Sequence, residues 1–252
     1  MNNTDSNSED GEGLGYRFGL FVRTSLTILR DHPLLLLYPV PGAILTRMIL
    51  VGSPGAALSN LSLTQLLPII LIQIFLNQAQ DLAVIFSVLN HLRGRRIGFG
   101  VAITKIFTLV RPLLGLVFLL GVTQVLIGQS TGAILFIALL IPIGWSYASI
   151  FVLPILADKN PSVHVAIKLS FSMANRLWRD VLMFLAFMAA LTLVIANVTG
   201  AVTNMGAQGE SELTRAIFMA SIISFPFEVL LTVFGATLRS VTYDFHRDSE
   251  SA

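Results

Sequence analysis

Apolar residues run almost unbroken through six stretches of the chain: Leu34 to Val51, Leu66 to Leu89, Leu113 to Ile127, Ala133 to Ala157, Val181 to Val202 and Ala216 to Val241. About 20 helical residues cross a hydrocarbon layer about 30 Å thick, so this pattern predicts membrane-spanning helices. The third stretch is short and is expected to borrow Arg111 and Pro112 or the turn at Gly128. Pro39 and Pro41 in the first, Pro68 in the second, Pro142 and Pro154 in the fourth and Pro226 in the sixth are expected to kink or shorten their helices. Ahead of them, residues 1–12 are polar and acidic, with neither the basic start nor the apolar stretch of a signal peptide, and read as a disordered tail. Residues 246–252 read as a second tail, leaving 13–245 as the membrane domain.

Three further segments, 14–30, 100–111 and 161–179, are apolar on one side only. On a 3.6-residue helix Arg17, Arg23, Thr24, Thr27 and Arg30 fall opposite Phe18, Phe21, Val22 and Leu29, the pattern of a helix lying in a membrane interface. Asn160 and Pro161 are expected to supply an N-cap and a first-turn proline for a second such helix, in which Lys168, Arg176 and Arg179 oppose Val163, Ala166 and Met173. The segment closed by Arg111 repeats the design in shorter form. Arg17, Arg23, Arg30, Arg111, Arg176 and Arg179 are therefore candidate interfacial anchors. The succession of amphipathic helix, arginine and paired spans reads either as an internal repeat or as the basic anchor that any such helix needs.

The basic residues also orient the chain. All sixteen except Arg47 and Arg215 fall on one side of the predicted spans. Because Lys and Arg collect in cytoplasmic loops, both termini are placed in the cytoplasm, which agrees with an even number of spans. Arg47 sits a turn from the outer end of the first span and is expected to snorkel. Composition fits the same picture. Of 252 residues, 54% are hydrophobic and 12% charged, which excludes a water-soluble globule. The expected fold is an all-α polytopic bundle of six spans with cytoplasmic interfacial helices.

Polar groups inside apolar helices carry the candidate chemistry, because an ionised carboxylate at membrane depth survives only where it faces protein or water. Gln73, Asn77 and Asp81 stand at i, i+4 and i+8 on one face of the second span, with Gln80 beside them. Glu228 lies mid-span in the sixth, two residues after Pro226, whose missing amide hydrogen leaves the Ile222 carbonyl without its helical partner. At 1.5 Å per residue, Asp81 and Glu228 lie about 12 Å and about 16–20 Å from the cytoplasmic ends of their helices. These depths allow one shared cavity. Two readings follow: a relay or polar binding site at the midplane, or hydrogen-bonded packing between helices. No basic residue near the centre offers itself as a partner.

Other motifs carry less. Gly128 to Gly132 matches the G-x-S-x-G nucleophile pattern, but it falls in a turn between predicted spans, where neither the required strand nor a histidine is at hand. His32, His91, His164 and His246 lack metal-ligand spacing and are expected to be solvated or interfacial, so no metal site is predicted. There is no cysteine and no phosphate-binding glycine-lysine loop. No cofactor, nucleic-acid partner or enzymatic activity is expected. Membrane lipid is the expected partner, with a second copy or another membrane protein also open. Asn60 and Asn197 head N-x-S/T triplets on the predicted outer side.

Around the fourth and fifth spans the residues Trp145-Ser146, Phe151-Val152-Leu153-Pro154-Ile155-Leu156-Ala157-Asp158, then Ala166, Ser170 and Trp178 form a recognisable series. With Leu29-Arg30-Asp31 ahead of Leu34 to Pro39, and Phe75-Leu76-Asn77, it resembles a prokaryotic multi-pass membrane family of unknown function. More distantly, the layout is similar to membrane regions that accompany glycerophosphodiester phosphodiesterases, whose catalytic domain has no counterpart here. The resemblance implies a six-helix inner-membrane protein of a prokaryote without established activity. On these grounds the chain is expected to handle or sense a small solute, ion or lipid, or else to act as a membrane adaptor through its basic interfacial helices.

Overall fold

A computed structural model describes residues 6–52, 63–95, 98–128, 144–205 and 210–247. Every regular element among them is helical: α1 (Ser6–Asp31), a 3-10 turn (Pro33–Leu37), α2 (Val40–Gly52), α3 (Leu63–Leu92), α4 (Phe99–Thr108), α5 (Val110–Gly128), α6 (Val152–Lys159), α7 (Val163–Arg176), α8 (Trp178–Met205) and α9 (Glu210–Arg247). Residues 144–149 form a further helical stretch ahead of α6. Three segments among the described residues are long and apolar enough to cross a membrane: Leu67–Leu92 in α3, Trp178–Asn197 in α8 and Met219–Arg247 in α9. A fourth is added if Phe99–Thr108 and Val110–Val122, which meet at 70°, form one broken span.

The expected first span is divided. Its 3-10 opening and α2 are separated at Tyr38 and Pro39, because proline at 39 cannot donate to the preceding turn, and the apolar piece Pro33–Leu45 is shorter than a span. Of the expected fourth span, 133–143 lies outside the described residues, and the remainder is interrupted by a turn at Ile150 and Phe151. The tail boundary moves as well. α1 already begins at Ser6. At the other end α9 continues through His246 and Arg247, which the sequence pattern assigned to the C-terminal tail.

α1 packs on α8 and α9, with Phe18 against Phe187 and Phe21 against Phe245, and Ile28 and Leu29 are also buried. Arg23 and Arg30 stay exposed, as do Leu20 and Leu26. Asn160 does not cap α7. It closes α6 in the left-handed region (φ 50°), a conformation asparagine tolerates better than most residues, and Ser162 takes the N-cap position of α7. α6 is buried from Val152 to Ala157 against the C-terminal half of α3, where Leu82, Val84, Ile85 and Val88 are fully enclosed.

Contacts fix the direction of each long helix. Arg47 of α2 meets Ser221 of α9, whereas Asp81 and Arg93 of α3 meet Arg239 and Asp244 of the same helix. α3 and α9 therefore run alongside each other, and α2 runs against both. α8 also opposes α9, since Asp180 lies beside His246 and Gly235 leaves room for Met188. Arg17, Arg93, Asp158, Asp180 and Asp244 gather where α1, α3, α6, α8 and α9 come together, which defines a charged end of the bundle.

Candidate functional site

The polar face of α3 opens into a cavity of about 590 Å³, within the range of small-molecule sites. Gln73, Asn77, Gln80 and Asp81 line one wall, and Glu228, Thr232 and Arg239 of α9 line another. Phe184 and Met188 of α8 supply an apolar side, while Ser146 and Ser149 add hydroxyls from the helical stretch before α6. All four residues singled out for intramembrane chemistry, Gln73, Asn77, Asp81 and Glu228, thus face one space. Close approach of α2 helps form it. At Gly42 a Cβ would overlap the Gln80 amide, so a bare backbone lets that amide sit between the helices.

Both carboxylates have cationic partners, contrary to the expectation that none was near. Arg239 donates from Nη2 to Oδ2 of Asp81 at 2.5 Å, with both side chains largely buried, and its Nε bonds the Gly235 carbonyl of its own helix. Arg47 lies 3.0 Å from Glu228 instead of snorkelling outward. Its guanidinium also donates to the carbonyls of Ser221 and Ala43 and to Oγ of Ser224, and packs over the Phe225 ring. Of those partners, Ser221, Ser224 and Phe225 lie in the turn ahead of Pro226. Glu228 and Arg239 are eleven residues apart on α9, so the two ion pairs are separated by about 16 Å along the helix axis. Each formal negative charge on the cavity wall is matched by one guanidinium.

The charged end holds a different kind of network. Arg93 lies 2.7 Å from Asp158 and 3.6 Å from Asp244, Tyr243 donates its hydroxyl to Asp158 at 3.0 Å, and Arg247 reaches Asp244 at 3.3 Å. Burial pushes the Asp158 carboxyl up, but the hydrogen bonds from Arg93 and Tyr243 and the charges of Arg93 and Arg247 outweigh it and hold the group below the ordinary carboxylate range. Of the histidines expected to be solvated or interfacial, His246 is buried beside Asp180 and the Phe21 ring. His32 and His91 meet with ring centroids 4.2 Å apart.

None of the basic anchors lines the cavity. Arg17 lies 3.9 Å from Asp180, Arg30 bonds Asp31 at 3.0 Å, and Arg179 packs over Trp178. Arg23, Arg111 and Arg176 are exposed. Among the described residues no group of three or more His, Asp or Glu side chains could hold a metal ion. Gly128 ends α5, and the rest of the G-x-S-x-G match lies outside the described residues, as does Asn60. Asn197 is exposed on α8 and bonds the Leu193 carbonyl.

Sequence patterning missed Arg47 and Arg239 as partners because it assigned each to a membrane face by its distance from a helix end. A signal was present for Arg239. Three turns separate it from Glu228, which places both on one face of α9, the face that must meet the polar stripe of α3. No protein-family model, no curated protein and no solved structure matches the chain.

Proposed function

We propose that this is a multi-pass membrane protein whose helix bundle binds, and carries or senses, a small polar solute of no net charge, without chemical conversion. The observation that carries this reading is a cavity of about 590 Å³ lined by an amide stripe, by hydroxyls and by two carboxylates that are each matched by an arginine, on helices that include two apolar and long enough to cross a membrane. A bare cation or anion would meet an opposite charge already engaged by its partner. A neutral or zwitterionic solute finds amide and hydroxyl donors and acceptors. The proposal includes the finer topology of six spans with both termini in the cytoplasm of a prokaryotic cell, supported by the opposed helix directions and the one-sided basic residues. It also includes kinship with the membrane family that the Trp145 to Trp178 series resembles.

Proteoliposomes test the reading. Shrinkage and re-swelling after mixing with urea, glycerol or glycine report permeation of neutral and zwitterionic solutes, and rubidium uptake reports a cation. Solute-dependent swelling that is abolished by Asn77→Phe, which fills the cavity without touching an ion pair, is the expected result. Rubidium uptake, or swelling unchanged by Asn77→Phe, would count against it. The exposed Tyr16, Leu20 and Leu26 on α1 support a second reading, an adaptor that docks a membrane partner; vesicles inert to every solute would favour it.

A further inference from the structure

A second cavity of about 240 Å³ opens where the end of α1, the 3-10 turn and the C-terminus of α3 meet. Its charged and imidazole lining consists of His32, His91 and Arg95, with the hydroxyls of Ser87 and Tyr38, and among the described residues no carboxylate lines it. The chain is built to place Arg95 there. α3 ends in a Schellman motif, in which Gly94 (φ +71°) donates to the His91 carbonyl and Arg95 donates its backbone N–H to the Asn90 carbonyl. That fold-back turns Arg95 over the helix end and beside the paired imidazoles.

Among the described residues no carboxylate pairs with this cation. Asp31, next to His32, is engaged by Arg30, and Arg93 is engaged by Asp158 and Asp244. The Arg95 side chain therefore projects a fork of donors at a site where two imidazoles and a hydroxyl pair can add further hydrogen bonds, an arrangement suited to a tetrahedral oxyanion. The other side of the cavity is apolar. Leu34 and Phe99 line its mouth and are 68% and 46% exposed, which suits contact with acyl chains and not with water.

We infer that this cavity is a binding site for the phosphate headgroup of an anionic membrane lipid, with the phosphate against Arg95, His32 and His91 and the first carbons of the lipid against Leu34 and Phe99. Basic recesses between helices at a charged membrane face are the general setting for such recognition. The inference does not depend on the solute cavity and shares with it only the lipid surround.

Full-length protein in a neutral detergent tests it with three probes: dihexanoyl phosphatidate, dihexanoyl phosphatidylcholine and inorganic phosphate. Binding is read by titration, and the histidine C2–H resonances report where the probe sits. Saturable phosphatidate binding at one site per chain, shifting the His32 and His91 resonances but not that of His164, is expected. Arg95→Gln should weaken it about tenfold, the size of one lost charge-assisted hydrogen bond, whereas Lys159→Gln at the exposed end of α6 should leave it unchanged. Equal weakening by both variants would reduce the effect to general electrostatics and overturn the site. Phosphatidylcholine binding as tightly would show an apolar groove only, and inorganic phosphate binding as tightly would show an ion site without lipid recognition. Either result defeats the inference, as does the absence of saturable binding.

Discussion

Two guanidinium–carboxylate pairs face the same cavity, yet they are built in opposite ways. Arg47 is held by two backbone carbonyls, a serine hydroxyl and an aromatic ring before Glu228 is counted, and Glu228 is 47% exposed. Removing that carboxylate leaves the arginine well solvated by protein. Asp81 and Arg239 are only 15% and 19% exposed, and among the described residues Asp81 is matched by Arg239 alone. Losing the cation leaves a largely enclosed carboxylate without its partner. The difference shows that distance between partners says little about worth; what each partner has left after the other is gone decides it.

The sharpest way to break this contrast is Arg239→Leu. It should lower unfolding free energy by about 3 kcal/mol, as expected when a buried charge loses its partner, and the double variant Asp81→Leu with Arg239→Leu should recover most of the loss. Denaturation in detergent measures both. A single variant as stable as the parent would mean that water or another group already serves Asp81. A smaller effect comes from the charged end, where acid can titrate a carboxylate. Asp158 has a lowered folded-state pKa, so its contribution is present above the ordinary carboxylate range of about 4 and is lost as pH falls through the lowered value. Stability measured from pH 7 down to pH 3 should therefore fall less steeply in Asp158→Asn than in the parent; parallel curves would remove Asp158 from the acid response. The smallest effect is expected for Glu228→Gln, at most about 1 kcal/mol, because its carboxylate is half exposed and Arg47 keeps its other acceptors. A loss as large as that of Arg239→Leu would erase the distinction between the two pairs.

Much of this was legible from residue order. The 66–89 stretch lies inside α3 and 181–202 inside α8, because unbroken apolar runs of that length have few alternatives to helix. The polar stripe was legible for the same reason: the spacing from Gln73 through Asn77 to Asp81 is simply the helical repeat. Tertiary choices were not. Whether Pro39 bends a span or ends a helix depends on what covers the freed backbone groups, and whether Arg47 reaches a membrane face or a carboxylate depends on which helix lies beside it. Asn160 shows a local ambiguity of the same kind, since asparagine serves both as an N-cap and in the left-handed position that closes a helix, and the chain around it permits either.

α9 is 38 residues long, a rod of about 57 Å against a hydrocarbon layer of about 30 Å. It carries Glu228, Arg239 and Asp244 in succession, so both cavity pairs and the charged-end network are mounted on one stiff member. A tilt or axial slip of that member strains all three ionic links together, and a pull applied at either end of the helix is transmitted to the cavity without any intervening joint except the loosened turn at Pro226.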